Sequence, residues 1–277
     1  SERINAQFTV AGVARSEFPE ISTEPENEYN SMSGGLFKDM IRKVLFSISS
    51  DENKYSLTGV FIEQVDDRLN MVGTDGKRLS LITRTLEELN ISGEKLHVPP
   101  DGAIVPRIVF SELLKYSFEH DTLNIGFSAS QVFFRYDNIR LTSNLIEGKY
   151  PEYKKIIPVE RERFFMTERE PLLSAVRRVA VLVDESYNQV KLSIMDGRLV
   201  LSSQNPTLGG AVEEIPIEYS GEPLDIALNY VYLLDCLKEI GSDRVKLDFE
   251  DSERVLAVYG VDETGYVNLI MPMKMES

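Results

Sequence analysis

Ile41-Arg42-Lys43-Val44 in the first half of the chain and Val176-Arg177-Arg178-Val179 in the second carry one order of apolar, basic, basic, apolar residues. Around the first, Phe37, Met40, Ile41, Val44 and Ile48 recur three and four apart, which predicts an amphipathic helix starting near Ser33-Gly34-Gly35. Around the second, Glu170-Pro171 opens a helix whose apolar face is Leu172, Val176, Val179 and Val183. The correspondence extends outward. Asp67-Arg68-Leu69 matches Gly197-Arg198-Leu199 in the strands that follow, and Leu114-Lys115 matches Leu237-Lys238 in a later helix. The spacing drifts slightly, as loops of unequal length would produce. A period of this kind means two copies of one domain. Each copy is predicted to be α+β, with antiparallel sheets of about eight strands backed by two helices.

The strand runs support that count. LTGVFIEQV, RLNMVGT and KRLSLIT are separated by Asp66-Asp67 and Asp75-Gly76, and Asp-Gly between alternating runs is a strong hairpin signal. AIVP, a short helix over Val109–Ser117, and the meander TLNIGFS, QVFFRY, IRLTSNL complete the first copy. RVKLDFE, RVLAVYG and YVNLIMP complete the second. Ile4–Val13 reads as a strand followed by an acidic linker to about Tyr29. The closing run Tyr266–Lys274 is apolar, broken by Pro272 and rich in Met; by itself it suits either a core strand or a surface for apolar partners.

Composition excludes several classes of function. The chain has 277 residues and a formal charge of −15, which argues against simple adhesion to a polyanion. No apolar run approaches the roughly 18 residues needed to span a bilayer, and a cytosolic location is expected. Cys236, the single cysteine, lies in an apolar helical pattern and reads as a buried thiol. His97 and His120 lack ligand spacing, so neither a metal nor a cofactor is expected. There is no nucleophile elbow, phosphate loop or dinucleotide fingerprint. Asp66-Asp67 and Asp184-Glu185 fall at predicted turns, where solvation explains them, although an enzyme using such carboxylates on nucleic acid is one rival reading.

What recurs instead is a basic helix face. Lys38, Arg42 and Lys43, then Lys115, then Arg177 and Arg178, then Lys238 all point away from the predicted apolar stripes. Repeated domains set in an arc would bring these residues onto its inner wall. A polyanion threaded there would be attracted without base contacts and so without sequence preference. A two-domain peptide-binding adaptor with no DNA role is the second rival.

Three motifs add a resemblance. Thr74-Asp75-Gly76-Lys77-Arg78-Leu79, Leu145-Ile146-Glu147-Gly148-Lys149-Tyr150-Pro151-Glu152-Tyr153 and Met271-Pro272-Met273-Lys274 occur in the order found in the bacterial sliding clamps, the beta subunits of DNA polymerase III, which the chain resembles from about Tyr29 onward. That family has three clamp domains per subunit. The resemblance implies that residues 1–27 are the end of the first domain plus a linker, residues 28–158 the second domain and residues 159–277 the third. It further implies a non-enzymatic, head-to-tail dimeric ring around duplex DNA, with this shorter chain monomeric. The polymerase III catalytic subunit, the clamp loader and repair factors would dock through short peptides with Gln, Leu and Phe anchors. Carried over, the docking pocket comprises Leu57, Thr74, Gly76, Lys77, Arg78, Leu79, Pro151, Lys155, Ile156, Leu269, Ile270, Met271, Pro272, Met273 and Lys274, with Arg78 and Lys274 at its rim. Lys77, Lys155 and Val255 depart from the residues usual in the family and bear on peptide preference.

Overall fold

The computed structural model describes residues 7–18, 24–25, 29–91, 95–118, 121–159, 162–184 and 186–275. Its first unit runs β1 (Asn30–Ser33), α1 (Gly34–Leu45), β2 (Gly59–Val65), β3 (Arg68–Thr74), β4 (Arg78–Thr85), β5 (Ala103–Pro106), α2 (Arg107–Leu113), β6 (Thr122–Phe127), β7 (Gln131–Tyr136) and β8 (Ile139–Asn144). The second runs β9 (Phe164–Glu168), α3 (Arg169–Val179), β10 (Gln189–Met195), β11 (Arg198–Asn205), β12 (Gly209–Pro216), β13 (Leu224–Asn229), α4 (Tyr230–Glu239), β14 (Arg244–Asp248), β15 (Leu256–Gly260) and β16 (Tyr266–Ile270). The order of elements is identical in the two units, as the repeat predicts.

Each unit contributes two four-stranded antiparallel layers. In the first they are β1-β6-β7-β8 and β5-β2-β3-β4; in the second, β9-β14-β15-β16 and β13-β10-β11-β12. One layer of each merges with the other through β4 and β16, giving a continuous eight-stranded sheet. The pairing sets Ile82 opposite Tyr266 and Arg78 opposite Ile270. Helix α1 starts where the Ser33 hydroxyl accepts the Leu36 N–H, and it buries Phe37, Met40, Ile41 and Val44 completely. Helix α3 does the same with Leu172, Val176 and Val179. A separate apolar cluster, including Phe61, Val72, Leu79, Tyr150, Val267 and Leu269, covers the opposite face of the seam.

Most other sheet edges are closed by extra bonds. The Ile146 N–H donates to Ile104 on β5, and the Met273 N–H donates to Ala227 on β13, in equivalent places of the repeat. Ser33 bonds Leu89 beside β1, and Met166 pairs with Glu218 beside β9. Among the described residues, no strand or bridge pairs with the outer side of β8 or of β12.

The predicted strand at Ile4–Val13 is not found. Residues 7–14 are exposed and irregular, ahead of a short 3-10 turn at Arg15–Glu17, and residues 4–6 lie outside the described residues. Alternating sequence cannot make a strand without a partner ladder. Helix α2 also ends earlier than expected, leaving Lys115 beyond its last turn.

Candidate docking groove and basic helices

Four stretches build a cavity of about 680 Å³ at the junction of the two units. The first is the β3–β4 turn. The Asp75 carboxylate accepts the backbone N–H groups of Lys77 at 2.8 Å and Arg78 at 3.0 Å, and the Thr74 hydroxyl oxygen accepts that of Gly76 at 3.0 Å. Gly76 has φ +90°, a left-handed conformation that glycine adopts without a side-chain clash. The second stretch, Pro151–Pro158, is held from behind by two tyrosines. Tyr150 stacks on Phe61 with centroids 4.6 Å apart and donates to the Val72 carbonyl; Tyr153 donates to Glu63. Burial pushes both phenols above their ordinary range, so they remain donors. Burial would also raise the Glu63 carboxyl, but hydrogen bonds from Lys154, Tyr153 and Asn70 outweigh it and hold it below its ordinary value.

The third stretch is the end of β16, where the Met271 N–H donates to the Lys77 carbonyl at 2.9 Å and ties the two units together along the floor. The fourth is the turn between β14 and β15, carrying Glu250, Glu253, Arg254 and Val255. Leu57, Leu79, Ile157, Val255, Leu269 and Met271 supply the apolar lining. An apolar cleft with a few fixed polar groups at a domain junction is the usual form of a ligand site.

Leu57, Thr74, Gly76, Lys77, Arg78, Leu79, Pro151, Lys155, Ile156, Leu269 and Met271 are brought together around this cavity. Ile270, Pro272, Met273 and Lys274 are not. Strand alternation turns Leu269 and Met271 to the groove and Ile270 into the helix-side core, where it is 1% exposed. Pro272 to Lys274 leave along β13 through the Met273–Ala227 bond. Arg78 is not a free rim charge either: its guanidinium reaches Asp75, Asp235 and the Phe46 carbonyl and lies over the Tyr232 ring. Glu152, Tyr153, Ile157, Pro158, Glu250, Glu253 and Arg254 line the cavity without having been expected there. Asp251 between two strand runs is the turn signal that could have pointed to the last three.

The helices also revise the predicted basic face. Lys38 is buried and donates to the Tyr116 carbonyl at 2.7 Å. Lys43 is buried over the Tyr266 ring and pairs with Glu263. Its counterpart in the repeat, Arg178, is exposed and forks onto Glu213 of β12. The difference follows from position, because α1 lies against the seam, where the second unit covers it, whereas α3 lies beside β12, the outermost strand of its layer. Lys115 and Lys238 are exposed and paired with Glu112 and Asp235. Among the described residues, Arg42 and Arg177 are exposed and make no side-chain hydrogen bond or ion pair.

Among the described residues, no three His, Cys, Asp or Glu side chains converge as metal ligands, and no helix is long and apolar enough to cross a membrane. Asp66 and Asp67 are exposed at a turn; His120 and Glu185 lie outside the described residues. Cys236 is buried, and burial pushes its thiol up to about 12.

Residues 31–152 match the family model for the central domain of the DNA polymerase III beta subunit, and residues 154–274 match that for its C-terminal domain. The beta sliding clamp of Treponema pallidum is 32% identical over 86% of this chain and 64% of its own length. That of Synechococcus elongatus is 30% identical over 99% of this chain and 72% of its own. A crystal structure of the DNA polymerase III subunit beta from Pseudomonas aeruginosa superposes with a TM-score of 0.87 at 27% identity, covering 95% of this chain and 70% of that one. The repeated fold, its order of elements and these matches show that the chain belongs to the family of beta sliding clamps, the beta subunits of DNA polymerase III.

Proposed function

We propose that the chain serves in a ring around duplex DNA and recruits replication and repair proteins, among them the polymerase III catalytic subunit and the clamp loader, through short peptides held in the junction groove. It acts without catalysis, in the cytoplasm, where bacterial DNA is copied. The groove carries this reading: its floor is apolar, its walls come from both units, and backbone bonds hold those walls in place before any ligand arrives. Preorganised walls reduce the ordering cost of binding a flexible peptide.

The ring draws support from the edges. Inside the chain, a β4-type edge joins a β16-type edge. By the repeat, β12 and β8 are the corresponding edges, and among the described residues neither has a partner on its outer side, so units can add head to tail in one direction. Such a heterologous contact closes into a ring when the rotation per unit divides a full turn.

Titrating a fluorescently labelled peptide with Gln, Leu and Phe anchors tests the groove. Saturable micromolar binding is expected, and Met271→Asp, at an exposed lining position, should weaken it about tenfold or more. No binding at high micromolar concentration would refute the docking role.

A further inference from the structure

Two turns that flank the end of β16, one on the β4 side and one on the β15 side, are built alike. Asp75-Gly76-Lys77-Arg78 joins β3 to β4, and Asp251-Ser252-Glu253-Arg254 lies between β14 and β15. In each, the Asp carboxylate accepts the backbone N–H groups two and three residues on, at 2.8 and 3.0 Å in the first turn and at 2.8 Å for both in the second. In each, the Arg turns back on the same Asp, with Nε to Oδ2 distances of 3.2 Å for Arg78 and 3.6 Å for Arg254. An Asp-capped turn fixes the backbone without using the side chain of its third residue. The third residues here are Lys77 and Glu253. Both are exposed, both line the cavity, and among the described residues neither makes a side-chain hydrogen bond or ion pair. The neighbouring rim charges are already occupied: Lys155 pairs with Glu152, and Arg254 with Glu250.

We infer that the groove reads charge polarity, binding a peptide segment whose apolar core is flanked by an acidic residue on the Lys77 side and a basic residue on the Glu253 side. This rests on the docking role proposed above and adds a direction to it. The two charges belong to different units and different strand turns, so a ligand lying across the junction meets one of each sign, and reversing its flanks would set like charges together. Each exposed pair changes affinity by roughly two- to fivefold, and salt weakens the effect.

Three labelled peptides sharing one apolar core test the inference on the 277-residue chain. One has neutral flanks; the other two have equal composition and net charge, with acidic and basic flanks exchanged. All three should bind, and at low salt the two charged isomers should differ roughly tenfold in Kd, the gap narrowing as salt rises. The double variant Lys77→Glu/Glu253→Lys, at exposed positions, should reverse their order. Equal affinities for the isomers, or an order unchanged in the double variant, would overturn the polarity while binding of the neutral peptide leaves the docking role standing. Failure of the neutral peptide to bind would overturn both.

Discussion

Arg78 shows how much a single side chain can do at a junction between repeats. Its side chain is 13% exposed and bonds Asp75 and the Phe46 carbonyl in the first unit and Asp235 in the second, the last at 2.8 Å. Removing it would leave the mostly buried Asp75 carboxylate without its guanidinium and Asp235 with only the exposed Lys238, so Arg78→Ala should cost about 2 kcal/mol, read as a lower urea midpoint. Lysine should restore little, because one ammonium cannot reproduce the planar fork that reaches three acceptors in different directions. Only the Asp75 contact is local; the others are not legible around Arg78 in the sequence, since Phe46 and Asp235 are 32 and 157 residues away. Lys38 and Lys43 are similar cases. Helical spacing identifies the face on which a residue stands, whereas burial depends on what another part of the chain brings over that face.

Among the elements, α1 and β3 meet more closely than ordinary side chains permit. A Cβ at Gly73 would lie 2.3 Å from the Val44 carbonyl oxygen and 2.6 Å from the Ser47 hydroxyl. Gly73→Ala should therefore lift the end of α1 from the strand and destabilise the chain by about 1–3 kcal/mol, measurable by thermal unfolding. The strands and helices themselves were largely readable, because alternation and helical spacing report burial on one face, and the two copies could be checked against each other. The closing run was readable only in part. Tyr266 packs on the helix side as a core strand residue, but Val267 joins the groove-side cluster, and only Leu269 and Met271 of the expected wall reach the cavity. The path of Pro272–Lys274 is set by the free edge of β13, a partner that no periodicity within the run reveals.

At the scale of the molecule, an acidic chain presents few free cations on its helices. If duplex DNA lies against them, Arg42→Ala and Arg177→Ala should each reduce the slope of log K against log salt by about one, measured by DNA titration at low ionic strength. Lys38→Ala and Lys43→Ala should leave that slope unchanged and lower thermal stability instead. Unchanged slopes in the two arginine variants would favour a peptide-binding adaptor without a DNA role. The eight-stranded sheet also has a mechanical consequence. It makes the two units a single stiff beam, since bending between β4 and β16 would break a five-residue register together with the Arg78 and Lys43 contacts. If the chain serves in a ring as proposed, any hinge would therefore fall at the outer sides of β8 and β12, and a gate for DNA would open there while the groove kept its shape.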